Sequence, residues 1–149
     1  MIRLFFAAAV SLALCSCQTF PINTPSGRPE VTAKSSMSRA KTTAMKLFVG
    51  SGWSMTSQSE NALTFEKPMT PDKAALFLLA VGNASYSQPV VITRLTFLPV
   101  GNEVKIYGAI HASAQGPFGQ VQNMDFTDGK DGQRLQQSLV VIRNQANGR

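Results

Sequence analysis

The chain has only two cysteines, Cys15 and Cys17, and a single histidine, His111. That scarcity excludes most structural metal sites. A structural zinc ion takes four nitrogen or sulfur ligands, and two thiols one residue apart with one distant imidazole do not supply them. No metal and no cofactor is therefore expected. Also missing are a Gly-x-Ser-x-Gly elbow, a phosphate loop and paired carboxylates placed for acid–base work. His111 and Ser113 fall on the same side of one predicted strand, with Asp125 expected on a neighbour. Residues i and i+2 stand ~6.6–6.8 Å apart along a strand, whereas a nucleophile and its base need ~2.6–3.2 Å. The sequence thus nominates no catalytic residue, and the expectation is a protein that is not an enzyme.

Long apolar runs are lacking too. A bilayer span needs ~20 residues, and the longest candidate, Leu4 to Leu14, is shorter and interrupted by Ser11. It follows Arg3 and ends in Leu14-Cys15-Ser16-Cys17, as the apolar region of an export signal does. This tetrapeptide resembles the lipobox of bacterial lipoprotein precursors, with Leu14 at −3, Ser16 as the small residue at −1 and Cys17 as the new N-terminus. Cleavage before Cys15 would put bulky Leu14 at the small-residue position, so only the Cys17 register works. The resemblance covers residues 1–18 alone. It implies a signal peptide over 1–16, a thioether-linked diacylglycerol on Cys17 and a further acyl group, such as palmitate, on its amine. Two or more chains give stable membrane anchoring. Gln18, where an Asp would favour the inner membrane, implies the outer membrane facing the periplasm.

Loss of residues 1–16 leaves 133 residues (149 − 16) and, with Arg3 gone, takes the net charge from +6 to +5. That length suits one domain. No disulfide is expected, since Cys15 is removed and Cys17 is alkylated. The basic residues run from Arg28 to Arg149 without forming a cluster, which reads as a solvated surface. Export makes nucleic acid an unexpected partner.

Residues 17–34 carry Pro21, Pro25 and Pro29 among small polar residues, the composition of an acylated N-terminus followed by an extended tether. A short strand is expected near Pro29 to Ala33. Residues 35–149 then read as a single domain. Ser35 or Ser36 can cap a helix running to about Val49, with Met37, Ala40, Ala44, Leu47 and Phe48 on one face. Trp53, Met55 and Ser57 alternate, a polar turn follows at 58–61, and Leu63 and Phe65 complete a hairpin. Trp53 is either a ligand-stacking ring or a core ring, and its phase with Met55 favours the core.

Thr70-Pro71-Asp72 opens a second helix with a hydroxyl cap, Pro at the first helical position and an acid in the first turn. Ala74 to Val81 is apolar without a break, so this helix is expected to be covered on more than one side. It is a core helix, or it lines a pocket or meets a partner. Leu76, Phe77, Leu79 and Trp53 are the candidate pocket or interface residues.

Strands are expected over Val90 to Leu98, with Val91, Thr93, Leu95 and Phe97 on one side, and over Glu103 to Ala114 by alternation. Gly116 to Gly119 reads as a hairpin tip carrying Phe118, and Gln120 to Phe126 as the return strand. Gln133 to about Ala146 forms a last helix, with Leu135, Leu139, Ile142 and Ala146 on one face. Asp125, Asp128 and Asp131 invite a calcium reading, but no Glu closes the loop as in an EF-hand, and helix capping is expected instead.

Short connections between strands mean antiparallel pairing. The expected fold is α+β, an antiparallel sheet of four to five strands with two or three helices on one face. The expected role is a membrane-anchored, non-catalytic envelope lipoprotein acting as an accessory or protein-interaction factor with an unidentified envelope protein. The alternative is a carrier of a small apolar ligand held between sheet and helices. A cavity of ~300 Å³ or more lined by Leu76, Phe77 or Leu79 favours the carrier, and a solid core favours the partner.

Overall fold

Alternation along the two longest strands decides which side of the sheet is covered. In the computed structural model, which describes residues 22–82 and 85–148, every second residue of 104–114 is buried: Val104, Ile106, Gly108, Ile110, Ala112 and Ala114. Their neighbours Lys105, Tyr107, Ala109, His111 and Ser113 point to the other, open face. The lipobox and Cys17 lie outside the described residues.

The chain runs β1 (Glu30–Ala33), α1 (Met37–Gly50), β2 (Ser54–Gln58), β3 (Ala62–Pro68), α2 (Pro71–Ala80), β4 (Val90–Val100), β5 (Glu103–Gln115), β6 (Val121–Asp125) and α3 (Lys130–Ala146). The fold is α+β, with six antiparallel strands in one sheet and helices packed on it. The sheet order is β1-β5-β4-β3-β2, and β6 pairs with the second half of β5. β1 and β6 therefore lie end to end along the same side of β5, β1 opposite Val104–Tyr107 and β6 opposite His111–Gln115. The stretch between them is bridged from outside the strands. Gly108 N donates to Pro29 O at 2.8 Å, and Ile110 N donates to Thr127 Oγ1 at 3.1 Å.

Ser36 caps α1, its hydroxyl accepting Arg39 N–H at 3.3 Å, an interaction worth about 1 kcal/mol. Ala40, Ala44 and Phe48 form the buried stripe of α1, and Leu135, Leu139, Ile142 and Ala146 that of α3. Both stripes meet Leu63, Phe65, Leu95, Phe97 and Ile106 of the sheet in the main core. Phe48 stacks on Phe65 with centroids 4.6 Å apart. α3 comes closest over Gly108, where an added Cβ would sit 2.8 Å from Leu135 Cδ2. Gly108 thus sets how deeply the helix packs.

Several expectations need adjusting. β1 is part of the sheet, with Val31 and Ala33 in the core and Ile22 buried, so the packed unit begins well before residue 35 and takes in the end of the expected tether. Its inclusion also makes six strands where four to five were expected. β2 is exposed throughout, Met55 included. Its pairing with β3 shifts register between Met55 and Ser57, which breaks the alternation expected to run on from Met55 to Ser57. Thr70 makes no side-chain cap bond to α2, and α3 starts at Lys130 with Gly129 at its cap position, so no Asp caps it. Asp125 instead accepts Thr127 N–H at 2.8 Å, closing the turn between β6 and α3. Among the described residues, no group of three His, Cys, Asp or Glu side chains is placed to hold a metal ion.

Candidate functional site

α1 and α3 do not cover the whole inner face of the sheet. The end of β5 past Ile110 lies under α2 instead, and Tyr86, from the connection that follows α2, packs there too. Phe77 anchors α2, packing on Met69, Ala112 and Ala114 in a second, smaller core. Alanines at 112 and 114 leave the room the ring fills. At 3% exposed, burial of Phe77 contributes roughly 2–3 kcal/mol. It is the only buried residue of α2.

The covering on more than one side expected of this apolar helix is not found, and the alternative of a pocket-lining helix fits instead. Leu76 is 67% exposed and Leu79 78%, because α2 touches the sheet along one side and no other element lies over its back. Leu76 and Phe77 instead wall a groove of ≈ 650 Å³ between α2 and the rest of the domain. Trp53, half-buried and edge-on to Phe48 with centroids 5.5 Å apart, lines its other end. Three of the four residues singled out from sequence therefore meet at one groove. Leu79 does not line it and faces outward.

Sheet residues supply the floor: Val91 and Thr93 of β4, Ile110 of β5, Met124 of β6 and Phe126 just beyond it. Thr93 is wholly buried, and its Oγ1 has no hydrogen-bond partner among the described residues. A buried hydroxyl without a partner costs about 1–3 kcal/mol, so this is a polar point in an otherwise apolar floor. The sequence placed Thr93 correctly on the inward side of its strand, but inward Thr is common and gave no sign of a site.

Charge gathers at the mouth. Lys67 and Lys73 stand there with Arg134 and Asp131. Asp131 lies 3.7 Å from Lys73 Nζ and 3.1 Å from Arg134 Nη1, tying α2 to α3. Lys67 Nζ donates to the Ser51 carbonyl oxygen at 2.9 Å. Of these four only Asp131 stands out in sequence, and for another role; the two lysines come from consecutive elements, β3 and α2, and meet α3 only in the folded chain.

The open face presents a different set. His111 and Asp125 are register partners, and Ser113 lies opposite Asn123. Among the described residues, neither His111 nor Ser113 makes a side-chain hydrogen bond, and Asp125 is taken up with Thr127. Hydrogen bonding by the Thr127 side chain, and then by its backbone N–H, holds the Asp125 carboxyl below its usual range, with nearby Arg28 and His111 adding to the effect. Glu30 and Lys105 pair at 3.3 Å on the same face. Hydrogen bonding to Tyr107, then to Glu30, raises the Lys105 ammonium above its ordinary value. No helix among the described residues is long and apolar enough to cross a membrane.

No family model, curated protein or solved structure matches this chain, so a functional reading rests on the groove and its rim.

Proposed function

We propose that the protein binds a small molecule with a substantial apolar part in the groove beside α2, and does so without catalysis, as a lipid-anchored carrier of the bacterial envelope. One observation carries the reading: the groove's ≈ 650 Å³, walled by Leu76, Phe77 and Trp53. Small-molecule sites run to ~300–1,000 Å³, mostly apolar with a few placed polar groups, and Thr93 with the charged rim fits that description. The lipobox resemblance supports the location. Acyl chains on Cys17 would hold the domain at a membrane, and Gln18 favours the outer one.

Native mass spectrometry of the full protein extracted from membranes tests the reading. The wild type is expected to carry a small-molecule adduct that Ala80→Trp, which fills the groove from α2, does not. Identical adducts on both chains, or none on either after incubation with an envelope lipid extract, would overturn it.

A second reading, an accessory factor that docks an envelope protein, has its own observation. Leu79 on the back of α2 and Phe118, 93% exposed at the β5–β6 tip, offer apolar surface away from the groove. Crosslinking in intact cells distinguishes the two, since a docking factor loses its crosslinks in Leu79→Ser and Phe118→Ser while a carrier is unaffected.

A further inference from the structure

The mouth of the groove is electrically lopsided. Three cations reach it from three elements, Lys67 from the end of β3, Lys73 from α2 and Arg134 from α3, against the single carboxylate of Asp131. That carboxylate is already shared between Lys73 and Arg134. Lys67 has no carboxylate partner among the described residues, and its one hydrogen bond goes to the neutral Ser51 carbonyl. An ammonium has three donors, so two of those on Lys67 remain open where a ligand would pass.

We infer that the groove takes an anionic amphiphile: a carboxylate or phosphate head held by Lys67 with Lys73 and Arg134, and an apolar chain lying over Val91 and Phe126. The inference rests on the groove-binding reading and names the ligand's chemistry. A neutral molecule leaves the open donors of Lys67 unused. A cationic head adds a like charge to three already present. An anionic head gains charge-assisted hydrogen bonds, the strong kind, and relieves the repulsion among the three cations. Its chain meets the apolar floor below. A carboxylate would come from a free fatty acid and a phosphate from a phospholipid or its lyso form; both present the same chemistry to this rim.

Trp53 makes the test direct, being the chain's only tryptophan and part of the groove wall. The full chain with Cys17→Ser, which lacks acyl chains of its own that could compete, is titrated with dodecanoate, dodecyl phosphate, dodecanol and dodecyltrimethylammonium, each below its micelle threshold, while Trp53 emission is followed. Both anions are expected to bind about tenfold more tightly than the alcohol, by a margin that shrinks as salt is added. Lys67→Gln should reduce that margin several-fold, weakening both anions more than dodecanol. Stronger binding of the carboxylate points to fatty acids and of the phosphate to phospholipids. Dodecanol binding as tightly as the anions, or the ammonium binding best, overturns the anionic head while leaving the groove reading intact. Silence of Trp53 with all four overturns the groove reading itself.

Discussion

A Cβ placed on Gly132 would lie 1.7 Å from the carbonyl oxygen of Thr127. The first turn of α3 therefore presses directly on the connection from β6, and Gly132 N completes the join by donating to Phe126 O at 3.2 Å. Intrinsic propensity favours Ala over Gly inside a helix by about 1 kcal/mol. The close approach reverses the sign. Gly132→Ala is expected to lose at least about 3 kcal/mol, in the range of strongly overpacked sites. Urea unfolding measures it, and a midpoint equal to or above wild type would show that the backbone is not in contact there.

Thr93→Val removes the unpartnered hydroxyl from the groove floor with almost no change in shape. The ligand-free variant is expected to be more stable than wild type by about 1 kcal/mol, the relief of an unmade hydrogen bond. Thermal unfolding of both proteins, stripped of ligand, decides the point. A loss of stability would mean that Thr93 Oγ1 has a partner in solution.

The two large residues of α2 should behave in opposite ways. Phe77→Ala opens a cavity over Ala112 and Ala114 and should cost about 3–5 kcal/mol. Leu79→Ala, on the exposed back of the helix, should stay within about 0.5 kcal/mol. Chemical denaturation of the two variants side by side checks the orientation of α2, and equal losses would mean that the helix is rotated from the position described.

Asp125 gives the fold an acid-sensitive contribution. Its folded pKa lies below the ordinary 3.8, so its contribution is present above that value and lost as pH falls through the folded pKa. Wild type should therefore exceed Asp125→Asn in stability at neutral pH, and the difference should fade as acid is added below 3.8. Asp125 is solvent-exposed, so the effect is modest. Unfolding midpoints of both chains across the acid range follow it, and a gap that stays constant would remove the Asp125–Thr127 contact from the account.

Much of the architecture was legible because periodicity and punctuation agreed. The inward set Val104, Ile106, Ile110 and Ala112 and the helical stripe Leu135, Leu139, Ile142 and Ala146 each follow one period, and both are buried as read. Two things resisted reading for physical reasons. An unbroken apolar run such as Ala74 to Val81 says how much apolar surface a helix carries, not how many neighbours arrive to cover it, so the exposure of Leu76 and Leu79 came as a correction. The rim of the groove joins Lys67, Lys73 and Arg134, of which Arg134 lies over sixty positions from the others, and such convergence exists only once the sheet has assembled. Trp53 stood between. Its ring packs against the main core edge-on to Phe48, as favoured, and is half-buried in the groove wall, while Met55, the residue that set its phase, is exposed on the outer strand.

The register slip between Met55 and Ser57 bears on the edge of the sheet. β2 is the outer strand of the sheet, and its unpaired side is a template on which another chain could add. A kink of this sort bends the strand and interrupts the even row of peptide groups that a second copy would need to zip onto. A straight free edge would invite such addition from one copy to the next. Here the β2 border is crooked between Met55 and Ser57, a shape that works against pairing of neighbours edge to edge.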